Sequence, residues 1–115
     1  MKDSVRFNCA VDGVMSVIGG KWKTTILCLL SQKERLRFSQ LKRSIPPISP
    51  RVLSKQLKEL AEDGIIMRVE VKDSSYHVEY SLTEKGKSLR PVLECMAGWG
   101  LKNLMNPVIE IDEEP

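Results

Sequence analysis

The sequence predicts one mainly helical domain of the α+β class, in which several helices accompany a single β-hairpin. Apolar residues recur with helical spacing along most of the chain. One segment past the middle alternates apolar and polar side chains, as the strands of a half-buried hairpin do. The length of 115 residues fits one domain, because most domains hold about 100–200 residues.

Composition excludes several classes of protein. Charged residues make up 29% of the chain, and no apolar run approaches the ~18 residues of a membrane span. The N-terminus also lacks the apolar core of a signal peptide. Cys9, Cys28 and Cys95 show no C-x-x-C spacing, which favours a reducing cytoplasm over a disulfide scaffold or zinc finger. With His77 as the only histidine, we expect neither a metal site nor a cofactor.

Two helices are predicted at the start of the chain. The first runs from about Ala10 to Ile18 and places four apolar residues on one face: Val11, Val14, Met15 and Ile18. A second helix begins near Lys21, after two glycines, and its apolar face holds Trp22, Ile26, Leu29 and Leu30. Cys28 lies in the same apolar run and is expected in the core. The polar segment 31–37 predicts a loop.

The next two helices are joined by a tight, proline-containing turn. A short third helix carries Phe38, Leu41 and Ile45 and stops before two prolines. The fourth begins with Ser49 as N-cap and Pro50 at the first helical position, where its missing N–H costs nothing. Ile48 is expected to pack on Leu53 as a hydrophobic staple, and Asp63-Gly64 ends the helix.

A hairpin and a last helix complete the pattern. Alternation over 67–72 and 78–82, around a turn at 73–75, predicts the hairpin. Helical spacing resumes at Thr83 and extends towards Met105, with bends expected at Pro91, Gly98 and Gly100. The order is that of a winged helix-turn-helix with added terminal helices. We expect this domain to occupy residues 1–106, followed by an acidic, flexible tail at 107–115.

The outward face of the fourth helix is basic. Opposite its leucines lie four residues at i, i+3, i+4 and i+7: Arg51, Ser54, Lys55 and Lys58. Cations neutralise phosphates or bind guanine, and Ser49 at the helix N-terminus adds backbone donors for a phosphate. A solvated surface is the alternative. The short helix, turn and hairpin around this face favour double-stranded DNA in the major groove.

Further DNA contacts are predicted on both sides of this helix. The third helix offers Ser39, Lys42 and Arg43, and the hairpin offers Lys72 and His77, the latter expected to be exposed. Lys21 and Lys23 are expected near the DNA backbone. The sequence around Gly20 is not a phosphate-binding loop, because Trp22 stands where such a loop has Ser or Thr. One histidine cannot build a catalytic triad, so we expect no enzymatic activity.

The two ends of the chain suggest a dimer and a sensor. The last helix is apolar over a wide arc, which predicts a homodimer interface formed by Val11, Val14, Met96, Trp99, Leu101 and Leu104. Burial by the first helix within one chain is the competing explanation. Cys9 precedes the first helix, near Lys2 and Arg6, where the helix dipole and the cations favour the thiolate of a redox or electrophile sensor. A small, inert packing residue is the alternative.

Many short motifs occur together and in order. They are Cys9, 17–22 (VIGGKW), 37–41 (RFSQL), 48–54 (ISPRVLS), 57–60 (LKEL), 63–64 (DG), 79–83 (EYSLT), Gly86 and 99–100 (WG). In these the sequence resembles the HxlR family of winged-helix transcriptional regulators. The resemblance implies a cytoplasmic homodimer on operator DNA, with 49–62 as recognition helix and 66–82 as wing. Some members sense quinones, aldehydes or oxidants through a cysteine at the position of Cys9.

Two departures from the family pattern concern the sensor and the wing. Ala10 follows Cys9 where the family often has proline, and the wing tip at 72–77 lacks the family's frequent prolines. A twofold dimer predicts a pseudo-palindromic operator. Two other functions stay open: a winged-helix protein-interaction module, and a regulator controlled by a small-molecule ligand at the dimer interface.

Overall fold

A computed structural model of the protein describes residues 9–104, which form six helices and three strands in the order α1-α2-β1-α3-α4-β2-β3-α5-α6. The helices are α1 (Ala10–Ile18), α2 (Lys23–Gln32), α3 (Phe38–Ser44), α4 (Pro50–Glu62), α5 (Glu84–Lys87) and α6 (Arg90–Asn103). The strands are β1 (Leu36–Arg37), β2 (Ile66–Lys72) and β3 (Tyr76–Leu82). The mainly helical α+β class, with the hairpin after the fourth helix, is confirmed. The tail at 107–115 lies outside the described residues.

Segment 31–37 is not the loop that its polarity predicts. Helix α2 continues to Gln32, and Leu36–Arg37 forms a strand antiparallel to β3, with Leu36 opposite Tyr80. The side chain of Leu36 is buried in the core, and its backbone completes a sheet of order β1-β3-β2. A two-residue strand that depends on a partner more than forty residues away leaves no local periodicity to detect.

The cross-strand register places the alternating apolar residues of the two strands on opposite faces of the sheet: Met67, Val69 and Val71 of β2 on one, and Val78, Tyr80 and Leu82 of β3 on the other. Arg68 lies opposite Tyr80 and Val69 lies opposite Glu79. Directly opposed residues share one face of a sheet. The core face therefore carries Tyr80 together with Arg68, while Val69 shares the outer face with Glu79.

Helix α4 is fixed at both ends by local hydrogen bonds. The Ser49 hydroxyl accepts from the Val52 N–H at 3.1 Å, which confirms the predicted N-cap. At the other end Gly64 has a φ of +76°, a left-handed conformation that favours glycine. The N–H groups of Gly64 and Ile65 donate to the carbonyls of Ala61 and Leu60, which ends the helix in a Schellman motif.

The core is aliphatic and is centred on α4. Its leucines are at most 1% exposed, and they pack with apolar residues of α2, α3 and the sheet. The staple residues Ile48 and Leu53 are both buried in this cluster. Lys23 is also buried: its Nζ is 2.7 Å from Oε1 of the partly exposed Glu59. The prediction that Lys23 contacts DNA is therefore wrong, because its ammonium joins α2 to α4.

The segment after Thr83 forms two helices, whereas its spacing predicted one with bends. Thr83 Oγ1 accepts from the Gly86 N–H at 3.0 Å and donates to the Gly64 carbonyl at 2.6 Å, so it joins the hairpin base to α5. A side chain at Gly86 would collide with the carbonyl of Ile65, which explains the glycine. The break between α5 and α6 precedes Pro91, and α6 continues without interruption through Gly98 and Gly100.

Candidate nucleic-acid interface

Helix α4 separates its side chains into a buried and an exposed face. Leu53, Leu57 and Leu60 are buried, and the four residues of the predicted basic face are all exposed: Arg51, Ser54, Lys55 and Lys58. A helix of 13 residues is about 20 Å long, and its first two turns carry the first three of these side chains. This exposed face is compatible with entry into a major groove about 12 Å wide.

Two of the predicted DNA contacts around α4 already have intramolecular partners. Lys42 Nζ donates to the Pro46 carbonyl at 3.2 Å and so supports the turn between α3 and α4. The Ser49 oxygen accepts within the N-cap, which leaves its hydroxyl hydrogen to donate outward. Ser39 and Arg43 are exposed on α3. The α3–α4 pair therefore presents cations on both sides of the turn.

The wing does not expose His77 as expected. His77 is half-buried on the outer face of the sheet, and its Nε2 is 2.9 Å from Glu79 Oε2. Arg35 Nη1 lies 3.2 Å from the other oxygen of Glu79. The hydrogen bond from His77, followed by that from Arg35, lowers the pKa of Glu79 below its ordinary value. The prediction of an exposed His77 is wrong, because this network holds the ring against the sheet; its DNA contact stays a prediction.

The hairpin tip carries charges of both signs. Lys72 is exposed, with its Nζ 4.0 Å from Glu70 Oε1. Asp73 Oδ1 accepts from the Ser75 N–H at 3.2 Å, and this hydrogen bond lowers the pKa of the Asp73 carboxyl. The tip therefore offers DNA one cation beside a carboxylate that stays ionised at neutral pH.

All three cysteines are exposed thiols. Cys9 is the N-cap residue of α1 and its side chain makes no capping hydrogen bond. Cys95 is exposed on α6. Cys28 is exposed on α2, so the prediction that it lies in the core is wrong: the buried face of α2 is formed by Ile26, Leu27 and Leu30. Partial burial of Cys28 still raises the pKa of its thiol.

The terminal helices expose an apolar surface. The six residues predicted for a dimer interface are all exposed, from Val14 at 37% to Leu104 at 70%: Val11, Val14, Met96, Trp99, Leu101 and Leu104. Each terminal helix contributes one buried side chain, Ile18 from α1 and Leu93 from α6. Within residues 9–104, burial of the α6 side chains by α1 is therefore not observed.

The comparison with known families agrees with this arrangement of α3, α4 and wing. Residues 17–107 match the model of the HxlR-like helix-turn-helix family. The chain belongs to the HxlR-like helix-turn-helix family. An uncharacterised helix-turn-helix-type transcriptional regulator of Halalkalibacterium halodurans is 48% identical over 92 residues, which cover 80% of this chain and 81% of that protein.

Solved structures of other regulators share the fold of this HxlR-like chain. The redox regulator HypR in its oxidised form superposes with a TM-score of 0.76 at 40% identity, over 83% of this chain and 97% of that one. The reduced form of the transcriptional regulator YodB from Bacillus subtilis gives 0.73 at 28% identity, over 85% and 95%. The winged helix-turn-helix fold and the assignment as a transcriptional regulator are thus confirmed. No helix among residues 9–104 is long and apolar enough to cross a membrane.

Proposed function

We propose that the protein binds a specific operator sequence as a homodimer in the cytoplasm and regulates transcription without catalysing a reaction. The observation that supports this most directly is the exposed basic face of α4, opposite a fully buried leucine face, in a helix-turn-helix regulator. We assign DNA contacts to the exposed residues of α3 and α4 and to Lys72 on the wing. Arg51 and Lys55, in the first two turns of α4, are the residues that we expect to reach base edges.

Selection of bound sequences from random DNA tests the specificity. We expect an enriched pseudo-palindrome with half-sites about one or a few helical turns apart. Replacement of Arg51 or Lys55 by alanine should cost about 1–3 kcal/mol of operator binding if the side chain binds a base. Lys87→Ala is a matched control, because Lys87 is an exposed cation on α5, outside the helix-turn-helix. Equal operator binding by all three variants would contradict the assignment of α4.

The homodimer is supported by the apolar surface of α1 and α6. Apolar patches of this kind mark protein interfaces when they are contiguous. The domain that we propose spans residues 1–106, so that both terminal helices belong to it. Light scattering of the full chain should give twice the mass of 13.0 kDa. A mass of one chain at micromolar concentration contradicts the dimer.

We further propose that Cys9 senses oxidants or electrophiles. The thiol is exposed at the N-terminus of α1, beside the proposed dimer surface, and HypR and YodB have been solved in oxidised or diamide-treated forms. With a quinone, the thiolate sulfur forms a bond to a ring carbon. The electrons of the ring double bond move to the carbonyl oxygen, which takes up a proton. We expect this adduct to change operator affinity in the wild type and not in Cys9→Ser.

The other two thiols provide the controls for this sensor. Cys28 and Cys95 are fair controls because their thiols are also exposed. If Cys9 is the sensor, Cys28→Ser and Cys95→Ser should respond like the wild type. An operator affinity that is unchanged both when the wild type is oxidised and when it is treated with a quinone would remove the sensor role of Cys9. A response lost in one of the control variants would move the role to that thiol.

An apolar cavity supports a second means of control. It measures about 410 Å³ and lies between α1 and the residues Ile65, Lys85 and Leu89. A lipophilic ligand bound there would sit beside the proposed dimer surface. A response to such a ligand that persists in Cys9→Ser would favour this mechanism over the thiol.

A protein-interaction module is the alternative from another class. It would not require cations along the exposed face of α4. Phosphate contacts make the logarithm of the binding constant fall steeply with the logarithm of salt concentration. A titration of DNA binding against salt therefore distinguishes the two functions, because a protein-docking domain should show no salt-dependent affinity for DNA.

A further inference from the structure

A cleft with polar side chains along its rim lies between α4 and the base of the wing. It measures about 420 Å³. Its floor is formed by Leu57 and Tyr80, and its rim by four polar or charged side chains: Ser54, Lys58, Glu62 and Arg68. Two of the rim residues, Ser54 and Lys58, also belong to the exposed face of α4. The cleft therefore extends that face sideways as far as strand β2.

Arg68 is a cation that the sequence-predicted DNA contacts do not include. By alternation alone, it belongs to a polar row of β2 facing solvent. The register places it opposite Tyr80, on the face of the sheet that packs towards α4. Its guanidinium lies 3.3 Å from Glu70 Oε2, and hydrogen bonds to Tyr80 and Glu70 raise its pKa. The side chain is about half exposed, so N–H donors remain available for a further anion.

The position of the cleft along α4 indicates its occupant. If the first two turns of α4 lie against base edges, the later turns pass the edge of the groove, where the sugar–phosphate backbone runs. Lys58 and Arg68 would then meet one backbone phosphate between them. The Ser54 hydroxyl, one turn before Lys58 on the same side of α4, would be a third donor. Glu62 and Glu70 add negative charge nearby, so the contact requires that the phosphate lie on the cationic side of the cleft.

We propose that Ser54, Lys58 and Arg68 form a binding site for one phosphodiester of the operator backbone, between the recognition helix and the wing. This inference rests on the proposed DNA-binding function. It assigns the principal contact of the wing to its base, at Arg68, in addition to the tip residue Lys72. Because a phosphate carries no sequence information, the site strengthens binding to every DNA sequence by the same factor.

The test is a fluorescence-anisotropy titration of the full chain with an operator duplex and with a random duplex of equal length. Arg68→Gln should weaken binding to both duplexes by about tenfold, since a charge-assisted hydrogen bond is lost. It should also reduce the slope of log K against log salt by about 0.9, the value for one phosphate. The matched control is Arg35→Gln, because Arg35 lies just before β1 and is also paired with a glutamate, Glu79 on the outer face of the sheet.

Each result supports or overturns the site. Equal affinities of Arg68→Gln and Arg35→Gln overturn it, and so does a loss confined to the operator, because Arg68 would then bind a base. If the wild type shows no salt-dependent DNA binding and Arg51→Ala changes nothing, the DNA-binding function itself fails. A normal Arg51 effect combined with an unaffected Arg68→Gln variant removes only the cleft.

A second variant keeps the test valid if Arg68→Gln does not fold. Glu70→Gln removes the exposed carboxylate that engages Arg68. It should tighten binding to both duplexes by a few-fold, because the guanidinium is released towards the phosphate. An affinity equal to that of the wild type contradicts the site. Where the double variant folds, the gain should shrink in the Arg68→Gln background, and an equal gain in both backgrounds overturns the coupling.

Discussion

The helix-turn-helix with its wing and the pair of terminal helices are packed differently. The three buried leucines of α4 are at most 1% exposed, and they contact a core to which α2, α3 and the sheet all contribute. Helices α1 and α6 bury one side chain each. Trp99 remains 62% exposed and Leu101 remains 64% exposed. The apolar side chains around α4 are thus buried within residues 9–104, whereas most of those on α1 and α6 remain exposed.

This difference supports the two surfaces that the proposed function requires, one for DNA and one for a second copy of the chain. The net charge of +3 hides an uneven distribution: residues 1–60 hold 12 Lys and Arg against 4 Asp and Glu, and residues 61–115 hold 6 against 11. The basic half contains α3 and α4, whose exposed faces suit a polyanion. The exposed surface of α1 and α6 is apolar and suits a second copy of the chain, which is the proposed homodimer.

The largest expected effect is the loss of stability when a leucine of the central core is shortened. Leu57→Ala should reduce the free energy of unfolding by about 2–5 kcal/mol, because it leaves a cavity in a closely packed interior. Leu101→Ala makes the same chemical change on the exposed face of α6 and should cost less than about 0.5 kcal/mol in a dilute, monomeric sample. Urea unfolding monitored by circular dichroism measures both. Similar losses in the two variants would show that the packing of the two regions does not differ.

The next largest effect concerns self-association through the terminal helices α1 and α6. Trp99→Ser should weaken self-association by about 2 kcal/mol, or roughly 30-fold in Kd, because an exposed tryptophan is a typical anchor of an interface. Tyr76→Ser is the matched control, since Tyr76 is an aromatic residue of similar exposure at the start of β3. Sedimentation at several protein concentrations measures the Kd. A Tyr76→Ser variant that dissociates as readily as Trp99→Ser would place the interface on the wing.

The sequence predicts those elements whose signals are local. The start of α4 at Pro50 follows from the N-cap Ser49 and the proline, and its end from Asp63-Gly64, because each motif acts within a few residues. The basic face of α4 follows from helical periodicity in the same way. Such signals do not depend on the rest of the fold.

The errors concern residues whose environment is set by distant parts of the chain. Cys28 lies in an apolar run, yet only the packing of α2 against the core decides which side of the helix is exposed. Lys23 is a typical surface residue by type, but its ammonium is buried where it pairs with Glu59 of α4. The side of the sheet on which Arg68 lies depends on the register of β2 with β3. Alternation alone gives two faces and does not say which of them meets α4.

The smallest expected effect is a dependence of stability on pH that comes from the wing and not from the apolar core. The outer face of the wing is held by His77, Glu79 and Arg35, whose contacts are polar, whereas the core contacts do not titrate. The folded-state pKa of Glu79 is lowered, mainly by His77. A lowered carboxyl pKa adds stability that is present above the unfolded-state pKa and is lost as pH falls through the folded-state value. The loss should therefore begin near the ordinary value of 4.5 and continue below it.

Glu79→Gln should remove this acid-sensitive part of the stability. At pH 7 the variant should be less stable than the wild type. The difference should shrink as the pH falls below 4.5, because the carboxyl is protonated first in the unfolded state and, at lower pH, in the folded state too. Some acid dependence must remain, since the Ser75 N–H also lowers the pKa of Asp73. Thermal unfolding between pH 3 and pH 7 measures the difference, with Glu94→Gln on the exposed side of α6 as the control. If the difference between Glu79→Gln and the wild type is the same at both ends of this range, the network does not stabilise the wing through the charge of Glu79, and the two regions differ only in their apolar packing.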